Sequence, residues 1–277
     1  MKTIHYNVIG MMSGTSLDGI DLAEIGFAVD NGWRFEIKSA ETIPYSVSWR
    51  KKLQAAVQLS PAELEALDAE YSVFLAEVIA GFIRRNNINT IDAVCTHGHT
   101  VFHQPQKGIT LQIGNTPELA RRLGHTVVCD FRTQDVALGG QGAPLVPIGD
   151  RLLFPQYDYC LNLGGFANVS FDDERGNRIA FDICPANIVL NHYASQLGKT
   201  YDRAGKEASA GKVNRQLLDA LNRLEFYALP PPKSLGIEWV KAAFLPRVAE
   251  DIAVRDILCT LVKHIAMQIS GVFKKGA

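Results

Sequence analysis

The chain has 277 residues, of which 47% are hydrophobic and 21% charged, and its formal net charge is -1. These values are typical of a globular protein with one large or two smaller domains, and they exclude disordered and fibrous classes. The balance of acidic and basic residues argues against nucleic acid or an anionic membrane as a partner.

The compartment is predicted from the cysteines and from the apolar runs. The five cysteines are scattered and form no CxxC pair, which favours a reducing compartment. Residues 1–7 lack the apolar core of a signal peptide. Because no apolar run in the sequence approaches the ~20 residues that span a bilayer, we expect a cytoplasmic protein without a membrane partner.

The chain opens with a predicted β-hairpin. Apolar runs at residues 6–10 and 20–28 flank a cluster rich in Gly, Ser, Thr and Asp. The clearest helix follows, because Ser60 and Glu63 form a capping box and apolar residues then repeat at helical spacing as far as Phe82.

Strands and helices continue to alternate up to a glycine-rich loop. Residues 91–95 and 127–129 are predicted strands, and residues 117–124 are a short helix that a glycine ends. This alternation indicates an α/β fold. The character of the sequence changes around residues 130–132, shortly before the glycine-rich loop at residues 139–144, and we place the domain boundary there, which predicts domains 1–131 and 132–277.

The second half begins as the first did, with a predicted hairpin. Residues 157–163 and 167–171 are strands around a Gly-Gly turn, residues 178–181 are a third strand, and residues 185–197 are a helix. The last element is an amphipathic helix whose apolar face consists of Ile257, Leu258, Leu261, Val262, Ile265, Ile269 and Val272. Since no strand follows this helix, we expect the second domain to be incomplete at its C-terminus.

Residues 14–19 offer backbone amides, two hydroxyls and the Asp18 carboxylate within six residues. Such a turn can cradle phosphates and hold Mg²⁺ through water, or it can be a tight turn whose side chains bond to their own backbone. Neither a Walker A loop nor a Gly-x-Gly-x-x-Gly motif is present. The Gly164-Gly165 turn, with Asn168 nearby, can face the same phosphates or be an ordinary hairpin turn.

Three further sets of polar residues each allow more than one interpretation. Asp182 follows a predicted strand and is either a general base or a cap for the next helix. His97, His99 and His103 are metal ligands, polar substrate contacts or plain loop residues. Arg132 pairs either with an anionic substrate or with a surface carboxylate.

The segments that carry a family resemblance run through nearly the whole chain in order. They are residues 10–21 (GMMSGTSLDGID), 96–101 (THGHTV), 111–114 (LQIG), 130–132 (DFR), 139–147 (GGQGAPLVP), 161–168 (LNLGGFAN), 210–212 (AGK) and 232–236 (PKSLG). Together they resemble the anhydro-N-acetylmuramic acid kinase family. The resemblance implies a two-domain actin-like/hexokinase-like (ribonuclease H-like) ATPase fold.

The resemblance also implies a reaction and its residues. ATP phosphorylates O6 of 1,6-anhydro-N-acetylmuramic acid while water opens the anhydro bridge, giving N-acetylmuramic acid 6-phosphate for cell-wall recycling. Asp182 is the implied catalytic base, and His97, Arg132 and Gln112 are the implied sugar contacts. Mg²⁺, held by Asp18 through water, and a homodimer are expected. The residues expected to bind ATP are Gly14, Thr15, Ser16, Leu17, Asp18, Gly19, Ile20, Asp21, Gly164, Gly165 and Asn168.

The sequence departs from the family pattern in three ways. The family usually has Asp-Thr-Gly-Pro-Gly-Asn at the catalytic turn, whereas residues 182–187 are Asp-Ile-Cys-Pro-Ala-Asn. His99 stands where the family commonly has Gln, and family members continue beyond residue 277 with a Gly-Gly-Gly turn that holds adenosine. Two alternatives therefore stay open: a truncated, non-catalytic sugar-binding remnant or half-protein that needs a partner chain, and another sugar kinase of the same superfold.

Overall fold

The computed structural model describes residues 2–14, 17, 19–104, 109–140, 142 and 145–273. The chain folds into two compact units, Met1–Val146 (the first unit) and Pro147–Ala277 (the second unit). The predicted α/β class is confirmed, because both units combine a sheet with helices. The boundary after residue 131 and the incompleteness of the second domain stay predictions.

The first unit is built on a five-stranded sheet. Its described strands are β1 (Ile4–Ser13), β2 (Gly19–Val29), β3 (Trp33–Pro44), β4 (Ala93–Thr96), β5 (His99–Gln104), β6 (Ile109–Ile113) and β7 (Val127–Val128). Its described helices are α1 (Val47–Ala55), α2 (Pro61–Arg85), α3 (Pro117–Leu123) and α4 (Phe131–Ala137), with a 3-10 turn at Ala56–Gln58. The sheet order is β3-β2-β1-β4-β7, with β1 antiparallel to β2 and parallel to β4, while β5 and β6 form a separate hairpin.

The predicted hairpin at the start of the chain is formed by β1 and β2, which pair antiparallel over their whole length. In the turn between them, the Leu17 amide donates to the Gly14 carbonyl at 3.3 Å, and Leu17 has a φ of 57°. Thr15, Ser16 and Asp18 lie outside the described residues.

α2 covers one face of the sheet. Its predicted capping box is present, because the Glu63 amide donates to Ser60 Oγ at 3.5 Å and the Ser60 amide donates to Glu63 Oε2 at 2.8 Å. Its buried side chains share one core with the inward side chains of β1, β2 and β4. The core residues of α2 are Leu67, Tyr71, Leu75, Ala76, Ile79 and Phe82.

Several elements of the first unit were not predicted. β3 is exposed along most of its length, yet Trp33, Phe35 and Ile37 alternate with charged residues in its first half, which is a signal that could have identified the strand. The β5–β6 hairpin was not predicted either, and its two strands pair with each other. α3, in contrast, begins and ends as predicted, and Gly124 follows it in the left-handed region with φ 68°.

The second unit has a three-stranded antiparallel sheet in the order β10-β9-β8. The described strands are β8 (Tyr159–Leu163), β9 (Phe166–Asp172) and β10 (Arg178–Pro185). The described helices are α5 (Pro147–Leu153), α6 (Asn187–Ser195), α7 (Lys206–Ser209), α8 (Arg215–Asn222), α9 (Ile237–Trp239) and α10 (Val254–Phe273). Short 3-10 turns are Arg203–Gly205, Glu225–Ala228 and Leu245–Arg247, and Val240–Phe244 is a π-helical turn.

β10 is longer than predicted, and the following helix begins later. The strand passes through a bulge between Asp182 and Cys184 and still pairs Pro185 with Phe166 of β9. The predicted helix start at residue 185 is therefore wrong, since that residue ends the strand. The prediction that Asp182 stands at the end of its strand is wrong for the same reason.

α10 packs against both apolar cores of the second unit. Ile257, Leu258 and Leu261 belong to one core, and Ile265 and Ile269 pack against the other. The predicted apolar face was wrong at one position, because the Val262 side chain is 44% exposed.

The expectation that no segment is long and apolar enough for a bilayer needs correction. α10 has 20 residues and contains an 18-residue stretch with a mean hydropathy of 1.2, which suffices to cross a membrane by length and composition alone. Such a helix is weak evidence of a membrane span, since core helices of soluble proteins meet the same criteria.

Candidate active site

A buried polar network lies next to the turn between β1 and β2. Ser13 Oγ, at the end of β1, lies 2.7 Å from Tyr45 Oη and 3.1 Å from His99 Nδ1. Tyr71 Oη, from α2, donates to Ser13 Oγ at 3.1 Å and also contacts Tyr45 Oη. None of these four residues is more than 4% exposed. This buried tetrad (Ser13, Tyr45, Tyr71 and His99) holds the end of β1 just before Gly14, because its polar groups satisfy one another.

Burial keeps the tetrad uncharged at neutral pH. It lowers the pKa of His99 to about 4, with a smaller contribution from the neighbouring His97. It also raises the pKa of Tyr71 far above its usual range. The imidazole and the hydroxyls therefore exchange hydrogen bonds without a net charge next to the turn.

Three of the predicted nucleotide-binding residues of the first unit, Gly19, Ile20 and Asp21, differ in whether they offer a side chain to a ligand. A Cβ at Gly19 would lie 2.7 Å from the carbonyl oxygen of Ile43, so β3 approaches the backbone too closely for any side chain. The Ile20 side chain is fully buried in the core. Asp21 is exposed, and its Oδ1 accepts from Thr42 Oγ1 at 2.6 Å. Among these three residues, only Asp21 offers a polar side chain to a ligand.

The three predicted sugar-contacting residues, His97, Gln112 and Arg132, lie together, and we term them the polar cluster. Gln112 Nε2 lies 3.0 Å from His97 Nε2, 2.8 Å from the His97 carbonyl oxygen and 3.3 Å from Thr100 Oγ1. Arg132 Nη2, at the start of α4, lies 3.2 Å from His97 Nε2. Since both of these nitrogens are donors, His97 Nε2 accepts and the imidazole proton is on Nδ1.

The polar cluster has hydrogen-bonding capacity left over. Burial, helped by the Arg132 charge, lowers the pKa of His97 to about 4, so this histidine is neutral at pH 7. Gln112 Oε1 and Arg132 Nε are buried without a hydrogen-bond partner in the described part of the chain. An unsatisfied buried group costs about 1–3 kcal/mol, so the cluster is suited to a polar ligand that supplies one donor and one acceptor.

A pocket of about 510 Å³ adjoins the cluster. Its lining includes His97, Phe131, Met12, Asp21 and Thr42. This volume lies within the range of small-molecule sites, which combine apolar walls with a few polar groups.

The metal interpretation of the histidines finds no support. β4 ends before His97 and Gly98 has a φ of 64°, so His97 and His99 do not follow one another along a strand. His99 belongs to the tetrad and His97 to the polar cluster, and the His103 side chain lies outside the described part. Among the described residues, no group of three or more His, Cys, Asp and Glu side chains could hold a metal ion.

In the second unit, Asp182 belongs to a row of polar side chains across the sheet. Asp182 on β10 is opposite Asn168 on β9, which in turn is opposite Asn162 on β8. Because directly opposed residues of antiparallel strands point to the same face, the three side chains form one row. Asn162 was not predicted to contribute, since its role follows from strand register alone.

The Asp182 carboxylate is half-buried and oriented by the backbone. The Leu235 amide donates to Oδ2 at 2.8 Å, and Oδ1 accepts no hydrogen bond from the described residues. Burial raises the pKa of Asp182, although the Leu235 hydrogen bond acts in the opposite direction. The capping interpretation is wrong, because the N-cap of α6 is Ala186 and no side chain caps that helix.

The Gly164-Gly165 turn is fastened to the start of α6. The amides of Ala186 and Ile188 donate to the Gly165 carbonyl at 2.8 and 3.1 Å. Asn187 donates to the Gly164 carbonyl through its amide at 3.2 Å and through Nδ2 at 3.0 Å. The turn is therefore positioned by α6, and Asn168 lies on the strand that follows it.

Other contributors were missed for identifiable reasons. Tyr71 was assigned only to an apolar helix face, and Tyr45 carries no signal in the sequence. Lys233 and Leu235 belong to a segment that entered the resemblance without a role. Their contacts join parts of the chain that are far apart in sequence.

The chain is similar to known proteins over almost its whole length. A family model described as anhydro-N-acetylmuramic acid kinase matches residues 6–276. A curated protein of that name from Hydrogenovibrio crunogenus is 37% identical over 264 residues, which cover 91% of this chain and 71% of the relative. One from Haemophilus influenzae is 36% identical over 256 residues, covering 88% of this chain and 65% of the relative. One from Rhodopseudomonas palustris is 34% identical over 284 residues, which cover 95% of this chain and 75% of the relative.

The chain therefore spans between 65% and 75% of the lengths of these relatives. The predictions of the family and of a kinase enzyme are confirmed, and a kinase uses ATP. The alternative of a non-catalytic remnant is not favoured. This chain belongs to the anhydro-N-acetylmuramic acid kinase family.

Proposed function

We propose that this chain uses ATP to convert 1,6-anhydro-N-acetylmuramic acid into N-acetylmuramic acid 6-phosphate; its relatives are named anhydro-N-acetylmuramic acid kinase. The reaction belongs to the recycling of cell-wall sugars. The observation that carries the proposal is the state of Asp182, a half-buried carboxylate with a raised pKa, one oxygen held by Leu235 and the other open.

The proposed role of Asp182 is that of general base. Its open oxygen takes a proton from a water molecule, whose oxygen then forms a bond to C1 of the sugar. The C1–O6 bond breaks, and O6 forms a bond to the γ-phosphorus of ATP while ADP leaves. A carboxylate with a raised pKa is the stronger base, which suits this proton transfer at neutral pH.

The proposed role of the polar cluster is to bind the sugar. The unsatisfied Gln112 Oε1 can accept from a hydroxyl or amide of the sugar, and the unsatisfied Arg132 Nε can donate to an oxygen. Neutral His97 holds the guanidinium and the carboxamide in place from Nε2. An amino sugar that carries hydroxyl, acetamido and carboxylate groups supplies both kinds of partner.

The residues proposed to bind ATP are given for each unit by itself. In the first unit they lie in and after the turn that follows Gly14 and include Asp21, whose carboxylate is exposed. In the second unit they are Gly164, Gly165 and Asn168. Mg²⁺ would supply charge neutralisation at the phosphates. The proposal that Asp18 holds it through water rests on the sequence resemblance, since this residue lies outside the described part.

We further propose that the two units are the two actin-like domains of the family fold, that the protein is a cytoplasmic homodimer and that it has no membrane partner. Sedimentation equilibrium tests the oligomeric state, and a mass of one chain at micromolar concentration would contradict the dimer. Cell fractionation tests the compartment.

The test of the function is a phosphorylation assay with the purified chain, ATP and 1,6-anhydro-N-acetylmuramic acid. We expect N-acetylmuramic acid 6-phosphate as product, and Asp182→Asn should lower kcat by about 10²–10⁴-fold because the base is lost. The matched control is Asp219→Asn, an exposed aspartate on α8 of the same unit, which should keep full activity.

Mass spectrometry identifies the product, and a panel of ordinary and anhydro amino sugars defines the substrate. Full activity in Asp182→Asn would contradict the assignment of the base. Faster phosphorylation of an ordinary amino sugar would contradict the proposed substrate.

A further inference from the structure

Residues 232–236 form neither a helix nor a strand, and they lie against Asp182, the proposed general base. It follows the 3-10 turn Glu225–Ala228 and precedes α9. Two hydrogen bonds join it to one residue of β10: the Asp182 amide donates to the Lys233 carbonyl at 3.0 Å, and the Leu235 amide donates to Asp182 Oδ2 at 2.8 Å.

The position of Asp182 in the sheet explains why this segment matters. β10 is an edge strand of the three-stranded sheet, with β9 on one side. The pairing with Asn168 of β9 is followed at once by the bulge between Asp182 and Cys184. A residue at a bulge on an edge strand is held less firmly by the sheet than one in a regular central strand. The orientation of its carboxylate therefore depends on the neighbouring segment.

The side chain of Lys233 fastens this segment at two places. Its Nζ donates to the carbonyl oxygen of Phe226 at 3.1 Å, within the 3-10 turn. The same Nζ lies 4.7 Å from the ring centroid of Phe226 and 5.8 Å from that of Phe181, the residue before Asp182. Cation–π contacts of this kind are attractive, and Phe226 is buried. One ammonium group thus ties residue 233 both to the 3-10 turn and to β10.

We propose that Lys233 is a positioning residue for the proposed reaction: its ammonium group, bound to Phe226 and lying over Phe181, fixes residues 233–235 so that the Leu235 amide orients the Asp182 carboxylate. This inference rests on the proposed function. It gives residues 232–236 a role that does not require contact with the sugar or the nucleotide.

The hydrogen bond from Leu235 has a second consequence that can be measured. A donor to a carboxylate favours its charged form, so this bond lowers the pKa of Asp182 against the effect of burial. Loosening the segment removes that contribution, and the pKa of Asp182 then rises. Because the base works only when deprotonated, the acidic limb of the activity profile moves to higher pH.

Among the described residues, the ionisable groups near Asp182 include Lys233, Cys184 and Tyr227, and His264 lies behind Tyr227, with its Nε2 2.8 Å from the Tyr227 hydroxyl. Burial, with the Asp182 charge, raises the pKa of the Cys184 thiol to about 12. Burial likewise raises the pKa of Tyr227, on the 3-10 turn, beyond its usual range. Both groups stay neutral between pH 4 and 8, whereas burial lowers the pKa of His264 to about 4. A signal from the Asp182 carboxyl group itself is therefore needed to separate its titration from that of His264.

The experiment compares Lys233→Met, Lys233→Arg and the wild-type chain. Methionine keeps an apolar stem but neither donates nor carries a charge, whereas arginine keeps the donor and the cation–π contact. Lys241→Met, an exposed lysine in the same unit, is the control. We expect Lys233→Met to lower kcat/KM about tenfold through loss of orientation and to move the acidic limb up by about one pH unit. Lys233→Arg should restore both.

A second measurement is independent of turnover. Carbon-13 labelling of the aspartate carboxyl groups, with Asp182→Asn to assign the signal, gives the pKa of Asp182 by NMR. It should rise by about one unit in Lys233→Met and be unchanged in Lys241→Met. If wild type does not turn over, the proposed function fails while this titration still decides the inference. Lys233→Gln replaces Lys233→Met should the latter not fold.

An unchanged Asp182 titration in a folded Lys233→Met or Lys233→Gln variant would overturn the proposal. So would a higher KM for ATP with an unchanged pH profile, since that result assigns Lys233 to nucleotide binding. Leu235→Pro, which lacks the amide donor, should raise the pKa of Asp182, whereas Leu235→Ala keeps the amide and should not. Equal titrations in these two variants would also overturn it.

Discussion

The β1–β2 hairpin of the first unit and the β8–β9 hairpin of the second unit share a topology and differ in what holds the chain at or next to their turns. The end of β1, next to the first turn, is fixed by side chains, since the buried tetrad binds Ser13 through hydroxyl and imidazole groups. The β8–β9 turn is fixed mainly by main chain, because amides at the start of α6 bind the carbonyls of Gly164 and Gly165. The same local form therefore rests on two different physical supports.

This difference predicts where each unit is sensitive. Buried side-chain networks fail when one member is removed or charged, because the remaining polar atoms are left unsatisfied. Main-chain hydrogen bonds persist through most substitutions. The first turn should therefore respond strongly to mutation and to acid, and the second should tolerate both better.

Acid gives the largest expected difference between the units. Burial lowers the pKa of His99 and of His264 to about 4 from a usual value near 6.5. Since the folded state keeps these groups neutral, their contribution to stability is complete above pH 6.5 and is lost as the pH falls towards 4. At pH 5 the loss is roughly 2 kcal/mol for each.

The first unit has His97 in addition, whose pKa is also lowered to about 4, so it should lose more stability than the second unit. Each unit also contains one carboxyl group whose pKa is raised by burial, Asp68 in the first unit and Asp182 in the second. Protonation of these carboxyl groups favours the folded state as the pH falls, so in each unit it offsets part of the stability lost through the histidines. Hydrogen exchange resolved by segment, corrected for intrinsic rates, measures the opening of each unit at pH 7 and pH 5. Equal losses in the two units would break the comparison.

Removal of one hydroxyl from the tetrad is the next largest effect. Tyr71→Phe takes away the group that contacts both Ser13 and Tyr45, so we expect a loss of about 1–3 kcal/mol in the free energy of unfolding. Urea denaturation measures it. The control is Tyr193→Phe in the second unit, whose hydroxyl forms no hydrogen bond among the described residues. That control should change stability by less than about 0.5 kcal/mol, and a similar loss in both variants would contradict the role of the tetrad.

The smallest effect is expected at the second turn. Asn187→Ala removes the Nδ2 bonds to the Leu163 and Gly164 carbonyls, each 3.0 Å long, but three main-chain bonds remain. We expect a loss of about 1 kcal/mol or less. Asn191→Ala, exposed on the same helix, is the matched control. A loss above about 2 kcal/mol at Asn187 would show that this turn also depends on a side chain.

Local patterns predicted much of the fold. The capping box at Ser60, the helix end at Gly124 and the two hairpins follow from residues that are neighbours in sequence, where turn chemistry and apolar spacing act directly. β3 was missed although Trp33, Phe35 and Ile37 alternate with charged residues, because Ser39 and Glu41 interrupt the alternation in the second half of the strand. The helix start at residue 185 was misplaced because pairing with β9 outweighed the usual preference of proline for a first helical turn.

The sequence by itself determined the α/β class, the family and the candidate residues His97, Gln112, Arg132 and Asp182, because motif order and local composition are properties of the chain. Only the tertiary structure decided what those residues contact: the acceptor role of His97 Nε2, the tetrad beside the first turn and the Leu235 hydrogen bond on Asp182. The last of these joins residues 53 positions apart. Hydrogen bonds between such distant residues, and their burial, depend on tertiary packing, which no local sequence pattern predicts.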